Sequence, residues 1–132
     1  MYRVEIVPIE SLRQHEQIIP DRLARVIEII TREQSVDIPV VVDDNTRVIL
    51  DGHHRYNALK TIGAQKVPAL LIDYFDDSLI TVEARPESGF TSLSKQQIID
   101  MGLSDKVFKP KTTRHKVKFK VERINVPLKE LM

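Results

Sequence analysis

The sequence predicts an α/β protein, because segments with the two-residue periodicity of strands alternate with segments of helical periodicity. Its 132 residues suit one domain with its own core, which we place over residues 1–132. Apolar residues make up 42% of the chain and charged residues 30%, a balance typical of soluble globular proteins. No apolar run is long enough to span a membrane, and Met1-Tyr2-Arg3 leads directly into a strand pattern. We therefore expect a cytoplasmic protein without a signal peptide or a membrane partner.

The amino-terminal part of the chain predicts a strand and then a helix. Residues 2–9 alternate as a strand does, with Val4 and Ile6 on one face, and an irregular polar connection follows. Pro20 suits the first turn of a helix. An amphipathic helix is predicted over about residues 20–33 because apolar side chains recur there at helical spacing, namely Leu23, Val26, Ile27 and Ile30.

A hairpin, a helix and a buried strand are predicted next. Residues 39–42 and 47–50 have strand character and flank residues 43–46, whose side chains favour a tight turn. The following helix should end near Gly63, because glycine is the preferred residue just after a helix. Residues 67–73 are mostly apolar, which predicts a strand buried on both faces.

The carboxy-terminal half has weaker patterns. Residues 79–84 have strand character, and Ser94 with Gln97 forms a capping box that predicts a helix ending at Gly102. Residues 116–121 alternate lysines with apolar side chains, which predicts a strand with one solvated face.

One short segment combines a turn glycine with several polar groups: Asp51-Gly52-His53-His54-Arg55. It lies between an apolar run and a helical pattern, so we expect a strand, a tight turn and a helix start. Glycine lets the backbone approach a ligand closely, and a helix start offers unpaired N–H groups and the positive end of a dipole. This arrangement favours an anionic ligand, most often phosphate. The alternative is a buried turn whose histidines bond neighbouring carbonyls.

Two further segments are candidates for chemistry. Lys111-Thr112-Thr113-Arg114-His115 places two hydroxyls, an imidazole and two cations within five residues, and such groups suit phosphate oxygens. The alternative is an exposed basic loop. Glu16 lies in the connection before the first helix, beside His15 and Gln17. A positioned carboxylate there could accept a proton, although a lone loop glutamate is usually only solvated.

Composition and missing motifs exclude several classes of protein. The chain has no cysteine, which removes disulfides, thiolate zinc sites and cysteine nucleophiles. Its net charge is +1, from 20 basic and 19 acidic residues, which argues against a surface built to coat nucleic acid. Basic residues do cluster between Lys106 and Lys120. The P-loop signature and the protein-kinase signatures are both absent from the sequence.

The segment Asp51–Arg55 resembles the phosphate-binding signature of the ParB/sulfiredoxin superfamily. Partition proteins carry Gly-Glu-Arg-Arg there and sulfiredoxins Gly-Gly-Cys-His-Arg, whereas Asp-Gly-His-His-Arg is similar to the free L-serine kinases of archaea and some bacteria. His-Glu-Gln at 15–17, Phe-x-Pro-Lys-Thr-Thr-Arg-His at 108–115 and the ending at 125–131 resemble the same kinases. The resemblance covers roughly residues 4–75 and 105–131, and His53 in place of the reactive cysteine excludes sulfiredoxin chemistry.

The resemblance implies a fold and an activity. The fold would be a ParB/sulfiredoxin-like α/β domain, with a small mixed sheet flanked by helices. The activity would be transfer of a phosphoryl group from ATP or ADP to the hydroxyl of free L-serine, which gives O-phospho-L-serine. Mg²⁺ is implied because phosphate charge must be screened.

The resemblance also implies roles for particular residues. Glu16 would be the base for the serine hydroxyl, and Asp51 would be a catalytic carboxylate that holds the metal. The amino acid would contact His15, Ala84 and Arg85. The nucleotide phosphates would contact residues of both polar segments, namely Gly52, His53, His54, Arg55, Lys111, Thr112, Thr113, Arg114 and His115.

Two departures from the kinase pattern bear on the substrate. The archaeal kinases are considerably longer, with an added lobe before the Pro-Lys-Thr-Thr-Arg-His segment, where this chain has only a short bridge. They also carry an aromatic residue just before the proline that matches Pro86, where this chain has Ala84-Arg85. If that aromatic residue shapes the amino-acid pocket, the identity of the substrate depends on Ala84 and Arg85.

The alternative function is a ParB-type regulator that binds DNA and uses CTP or ATP as a switch. The basic tail favours it, while the near-zero net charge and the expected lack of a helix-turn-helix module disfavour it, so DNA is not an expected partner. A nucleotide-binding module without catalysis is the third alternative. No motif indicates the phosphoryl donor or the oligomeric state.

Overall fold

A computed structural model describes residues 2–132. The helices are α1 (Pro20–Glu33), α2 (His53–Ile62) and α3 (Lys95–Leu103). The strands are β1 (Tyr2–Pro8), β2 (Ser35–Val36), β3 (Val40–Asp43), β4 (Ile49–Asp51), β5 (Lys66–Ile72), β6 (Ile80–Ala84), β7 (Thr113–Val117) and β8 (Val126–Pro127). Short 3₁₀ turns occupy Ile9–Ser11, Pro86–Ser88 and Leu128–Glu130.

The central sheet has four strands in the order β1-β5-β3-β4. Strands β3 and β5 run parallel, and the two outer pairings are antiparallel, so the sheet is mixed. Side chains of the two inner strands alternate between two apolar clusters. Val42 and Leu71 pack with α1 and α2 on one face, while Val41 and Leu70 pack with α3 on the other. Both faces of β3 and β5 are therefore covered, which explains their continuous apolar sequences.

Local sequence explains where the helices begin and end. Pro20 occupies the first turn of α1, and Gln34 ends that helix in the left-handed conformation. α2 lies between Gly52 and Gly63, which have φ of 102° and 100°. These angles favour glycine, because a side chain clashes with the backbone there. In α3 the Ser94 hydroxyl and the Gln97 side chain form the capping box that the sequence predicts.

Two small antiparallel sheets complete the fold. β6 pairs with β7 in a register that places Ala84 opposite Thr113. β2 pairs with β8, and this pairing carries Leu128 and Leu131 into the cluster beneath α1 and α2. Among residues 2–132, none of the helices combines the length and the apolar character that a membrane crossing requires.

The predicted mixed α/β sheet flanked by helices is confirmed, and α1 spans the predicted residues. The strand predicted at 116–121 is wrong, because β7 spans Thr113–Val117. Val117 pairs with Ile80, the first residue of β6, so the partner strand ends there. The alternation beyond β7 still places Phe119 and Val121 against the cluster beneath α3.

Two smaller expectations need correction. Gly102 does not end α3, which continues to Leu103. Gly102 instead lies against Val48, where an added Cβ would be 2.5 Å from Cγ1. On β1, Val4 and Ile6 do share a face, but that face is exposed, and the buried side chain of the strand is Val7.

Candidate active site

Both polar segments line one cleft of about 380 Å³ between the Gly52 turn, the connection before α1 and the start of β7. Eleven of the fourteen predicted site residues line it: Glu16, Asp51, Gly52, His53, His54, Arg55, Arg85, Lys111, Thr113, Arg114 and His115. The other three lie behind its wall. His15 is fully buried, Thr112 is buried with its hydroxyl donating to the Lys109 carbonyl, and Ala84 pairs with Thr113 in the sheet.

Glu16 is placed in the cleft by backbone pairing with a distant segment. The Phe108 N–H donates to the His15 carbonyl at 2.8 Å, and the Gln17 N–H donates to the Phe108 carbonyl at 2.9 Å. Thr113 then donates to Oε1 of Glu16 twice, from its N–H and its hydroxyl, each at 2.9 Å. Both bonds end on one oxygen, so Oε2 has no hydrogen-bond partner among residues 2–132 and remains available for a ligand.

The environment of Glu16 tunes its basicity. Burial raises the pKa of this carboxyl, while the two bonds from Thr113 and the positive charge of Arg85 act in the opposite direction. The net effect is a pKa above the ordinary value of 4.5. A carboxylate with a raised pKa is a better proton acceptor, which is the property required of a general base near neutral pH.

Thr113 connects Glu16 to a buried histidine. His15 donates from Nδ1 to the Ile49 carbonyl at 2.6 Å, which leaves Nε2 as an acceptor. That nitrogen lies 3.2 Å from the Thr113 hydroxyl oxygen. Burial lowers the pKa of His15 to about 4, so the ring is neutral near pH 7. The single hydroxyl proton of Thr113 can therefore point to ionised Glu16, or turn to His15 when Glu16 carries a proton.

The paired histidines of the turn hold the connection that carries Glu16. The His15 N–H donates to Nε2 of His53 at 3.2 Å, and the Ile19 N–H donates to Nε2 of His54 at 2.9 Å. Both rings accept at Nε2, so each neutral ring carries its hydrogen on Nδ1. Burial lowers the pKa of both histidines, which favours this neutral form. The histidines thus bond amides, and not the neighbouring carbonyls of the alternative drawn from the sequence.

Gly52 is required by packing as well as by conformation. A Cβ at this position would lie 2.8 Å from Cγ1 of Val40 and 3.0 Å from the Arg55 guanidinium. Arg55 donates to the Pro39 carbonyl at 2.9 Å and more weakly to the Ile38 carbonyl at 3.4 Å. Burial lowers the pKa of Arg55 and the Asp51 charge opposes that effect, but an arginine stays cationic. Its charge therefore lies at the back of the turn, bonded to backbone.

The third wall of the cleft is cationic. Arg85 donates from its Nε to the Thr113 carbonyl at 2.9 Å, which fixes its guanidinium beside Glu16. Lys111 adopts the left-handed conformation, with φ of 59°, and Arg114 lies 3.6 Å from Glu83 on the exposed side. Five cations line the cleft against the carboxylates of Glu16 and Asp51: Arg22, Arg55, Arg85, Lys111 and Arg114. This balance favours an anionic ligand.

Two residues that shape the cleft, Arg22 and Tyr74, were not predicted from the sequence. Arg22 lines the cleft from the first turn of α1, one helical turn before Val26, which also lines it. The available signal was their i, i+4 spacing, which places both side chains on one face of the helix. Tyr74 is fully buried, and its hydroxyl lies 2.8 Å from Nε2 of His115. Burial lowers the pKa of His115 to about 3, so a neutral ring faces the cleft.

The fold and the cleft define a class: an α/β protein whose cleft combines a helix start, five cations and a carboxylate of raised pKa. No protein-family model matches the chain. The chain is 40% identical over 78 residues to an ATP-dependent L-serine kinase of Staphylothermus marinus, covering 56% of this chain and 31% of that one. It is 45% identical over 73 residues to a ParB-like protein of Sulfolobus acidocaldarius, covering 55% and 36%.

Solved structures identify the fold. A free serine kinase in complex with AMP superposes with a TM-score of 0.87 at 18% identity, over 98% of this chain and 93% of that chain. A mutant free serine kinase in complex with ADP also gives 0.87, at 17% identity. The chain therefore has the fold of the free serine kinases, and the resemblance drawn from its motifs is confirmed. It spans about a third of the length of the curated relatives that it matches, 31% to 36% for the first three.

Proposed function

We propose that this protein is a kinase of free L-serine that takes its phosphoryl group from ATP or ADP and releases O-phospho-L-serine. The observation that carries the proposal is the bonding of Glu16 by Thr113 in the cleft that also contains the Gly52 turn. A base and a helix start that suits phosphate, both lining one cleft, are what phosphoryl transfer to a hydroxyl requires. Relatives described as ATP-dependent and ADP-dependent L-serine kinases support it.

The start of α2 is the proposed site for the nucleotide phosphates. The first intrahelical bond of α2 runs from the Tyr56 N–H to the Gly52 carbonyl, so the amides that precede Tyr56 in the helix are free for a ligand. Lys111 and Arg114 line the same cleft and would neutralise the outer phosphate oxygens. Arg55 would act mainly through its charge, because its donors already serve backbone carbonyls.

The proposed reaction needs one proton transfer. Oε2 of Glu16 accepts the proton of the serine hydroxyl while the serine oxygen forms a bond to the terminal phosphorus of the nucleotide. The bond from that phosphorus to the bridging oxygen breaks, and the shortened nucleotide leaves with the bonding electrons. Oε1 can keep both bonds from Thr113 during this step, because a carboxyl protonated on Oε2 still accepts at its other oxygen.

The donor set suits a magnesium ion that enters with the nucleotide. Residues 2–132 contain no group of three histidine or acidic side chains that could hold a metal by themselves. Mg²⁺ in phosphoryl-transfer enzymes is usually held by one or two carboxylates together with substrate phosphates. Asp51 is exposed at the cleft and would supply that carboxylate. The ion would screen the charge of the phosphates.

The amino acid is proposed to lie between Glu16 and Arg85. Arg85 is half-buried, lines the cleft and is held by Thr113, so its guanidinium is positioned to pair with a carboxylate. Ala84 contributes through the pairing of β6 with β7, and His15 contributes through Thr113, because neither lines the cleft.

The test is direct. The purified chain is incubated with L-serine, Mg²⁺ and either ATP or ADP, and O-phospho-L-serine is measured by mass spectrometry. We expect product with at least one nucleotide and none when serine is omitted. If serine is inert while another small hydroxy amino acid reacts, the kinase proposal stands and the substrate assignment fails. If no hydroxyl compound reacts, the kinase proposal is wrong.

The ParB-like relative favours a second candidate, a nucleotide-binding regulator that associates with DNA. Its cleft would bind nucleotide without transferring the phosphoryl group. Binding of duplex DNA that weakens steeply with salt and responds to CTP or ATP would support this candidate. Phosphoserine formation without DNA binding would exclude it.

A further inference from the structure

Strand β1 leaves one edge of the central sheet open. It is the outer strand of the order β1-β5-β3-β4, and its seven residues pair with β5 alone among residues 2–132. Such an edge presents a row of unpaired N–H and C=O groups to solvent. Natural proteins usually cover or shorten edges of this kind, so a seven-residue open edge calls for an explanation.

One face of this edge is apolar and exposed. Tyr2, Val4 and Ile6 are 51%, 47% and 46% exposed. They lie on the sheet face that α3 covers farther in, because their partners on β5 include the buried residues Ile72 and Leu70. At one end of this face the Phe119 ring stacks on Tyr2, with centroids 3.9 Å apart, while all three side chains stay about half exposed.

We propose that β1 pairs antiparallel with β1 of a second copy of this chain, around a two-fold axis at Val4. The two four-stranded sheets then join into one sheet of eight strands. In this register Val4 faces its own copy, Tyr2 faces Ile6, and Arg3 faces Glu5. The contact is isologous, so every pair occurs twice.

Charge selects this register from its neighbours. Arg3 and Glu5 lie on the face opposite the apolar row, where Arg3 bonds Glu5 of its own strand at 2.9 Å and Asp44 at 2.7 Å. With Val4 on the axis, each arginine faces a glutamate. A shift that places residue 5 on the axis sets Glu5 against Glu5, and a shift that places residue 3 there sets Arg3 against Arg3. Directly opposed like charges destabilise a strand pair, so the edge excludes these alternatives.

The same pairing covers the exposed apolar row. Tyr2, with Phe119 stacked on it, lies beside Ile6 of the second copy, and the two Val4 side chains meet at the axis. A continuous apolar ladder results on one face, with ion pairs on the other. An unrelated peptide would satisfy the backbone groups but has no reason to match both features.

Cysteine scanning gives the sharpest test, because the natural chain has no cysteine. Opposed residues of antiparallel strands have Cα atoms about 4.5–5.5 Å apart, within disulfide range. Val4→Cys should therefore form a disulfide-linked dimer under mild oxidation. Ile6→Cys is the matched control, because its two copies would lie about 14 Å apart. Equal cross-linking of the two variants, or none with Val4→Cys, overturns the proposal.

Charge reversal tests the register independently. We expect sedimentation equilibrium to show a dimer for the natural chain, and Glu5→Arg or Arg3→Glu to weaken it at least tenfold. Mixing these two variants, or combining both changes in one chain, should restore association. The double variant also controls for the bond from Arg3 to Asp44, which it lacks. A monomeric natural chain at high concentration, or no restoration, contradicts self-pairing, and a heterologous peptide strand would then be the occupant of the edge.

Discussion

Glu16 illustrates how the orientation and the pKa of one side chain are set by contacts far away in the sequence. Its raised pKa comes from burial, and its orientation comes from Thr113, 97 residues along the chain. Oε1 can keep both bonds from Thr113 whether Oε2 is ionised or protonated, so the carboxyl can take either charge state without losing its position. These features lead to two predictions at the residue scale.

Glu16→Gln should abolish turnover while leaving affinity for nucleotide nearly normal. The amide keeps the shape and can still accept from Thr113, but it cannot take the serine proton. Loss of a general base typically costs about 10²–10⁴-fold in rate. The natural enzyme should lose activity as the pH falls through the pKa of Glu16, and this limb should lie above the ordinary value of 4.5 because the folded pKa is raised. Steady-state kinetics and calorimetry check both parts, and a variant with natural turnover would remove Glu16 from the mechanism.

Thr113→Val should move the acidic limb of the pH–rate profile to higher pH. The substitution removes the hydroxyl bond that lowers the pKa of Glu16 and keeps the backbone N–H bond. Burial then raises that pKa further, so more protonated, inactive enzyme is present at a given pH. Thr113→Ser retains the hydroxyl and serves as the control. Profiles of kcat/KM measured from pH 8 down to the onset of acid unfolding check this prediction. Identical acidic limbs for the Val and Ser variants would show that the Thr113 hydroxyl does not affect the pKa of Glu16.

At the scale of elements, the start of α2 is a structural support as well as the proposed phosphate site. His53 and His54 hold the connection before α1 by accepting its amides, and Gly52 lets β4 turn into α2 against Val40. The segment Asp51–Arg55 therefore forms the turn proposed to bind phosphate and also positions the segment that carries Glu16.

His54→Ala should lower kcat more than His54→Gln does. Alanine leaves the Ile19 N–H without its acceptor, whereas the glutamine side chain can reach the same amide with its oxygen. Misplacement of a catalytic group by about 1 Å can cost about 100-fold in rate. We expect a loss of about 10–100-fold for alanine, by the same reasoning, and substantial rescue by glutamine. Equal losses in kcat for both variants would point to a direct contact with ligand instead.

Gly52→Ala should destabilise the fold and weaken nucleotide binding, whereas Gly89→Ala should do only the former. Both glycines have positive φ, of 102° and 84°, where a side chain costs about 1–2 kcal/mol. A Cβ at Gly89 meets nothing within 4 Å, but one at Gly52 meets Val40 and Arg55. Crowding should add about 1–3 kcal/mol at Gly52. Denaturant melts measure the loss of stability, and ADP titrations measure the loss of binding. Equal stability losses for the two variants would show that Val40 moves aside without cost.

The sequence predicted individual elements well where a local pattern decides them. The helix at 20–33, the turn at 43–46 and the Ser94 capping box depend on neighbouring residues, and all appear as expected. The strand at 116–121 was misplaced because alternation continues past the end of its partner β6. A pattern within one segment carries no information on where the partner strand stops.

At the scale of the whole molecule, the site depends on pairings without a local signal. The sequence predicted that the segments containing Gly52 and Thr113 bind phosphate. That both segments line one cleft follows from the pairing of β6 with β7 and of Glu16 with Phe108, which no local pattern indicates. Arg22 was missed for a related reason: its i, i+4 spacing places it on the same face of α1 as Val26, but does not show which segments that face meets. Only family resemblance joined the segments before the fold was known.

Two buried histidines, His15 and His53, and the partly buried His115 beside them should make the whole molecule acid-labile. His15 lies 4.6 Å from His53 and 5.7 Å from His115 between ring centroids, and burial lowers the pKa of all three. The unfolded chain therefore binds protons more readily than the folded one. Stability is fully present above the unfolded pKa of 6.5 and is lost as the pH falls towards the folded values, about 4 for His15 and about 3 for His115.

Each of these histidines should remove about 1.4 kcal/mol of stability per pH unit in that range. Three together give a slope near 4 kcal/mol per unit, steep enough to unfold an ordinary domain at about pH 5. Denaturant melts between pH 7.5 and 5 measure the slope, and NMR titration of the four imidazoles identifies the groups responsible. His115→Gln should reduce the slope by one proton, because it removes one of the three titrating rings. Two results would contradict this explanation of the acid lability. One is that the histidines titrate near 6.5 in the folded protein, and the other is that the pH dependence of stability corresponds to uptake of fewer than one proton on unfolding.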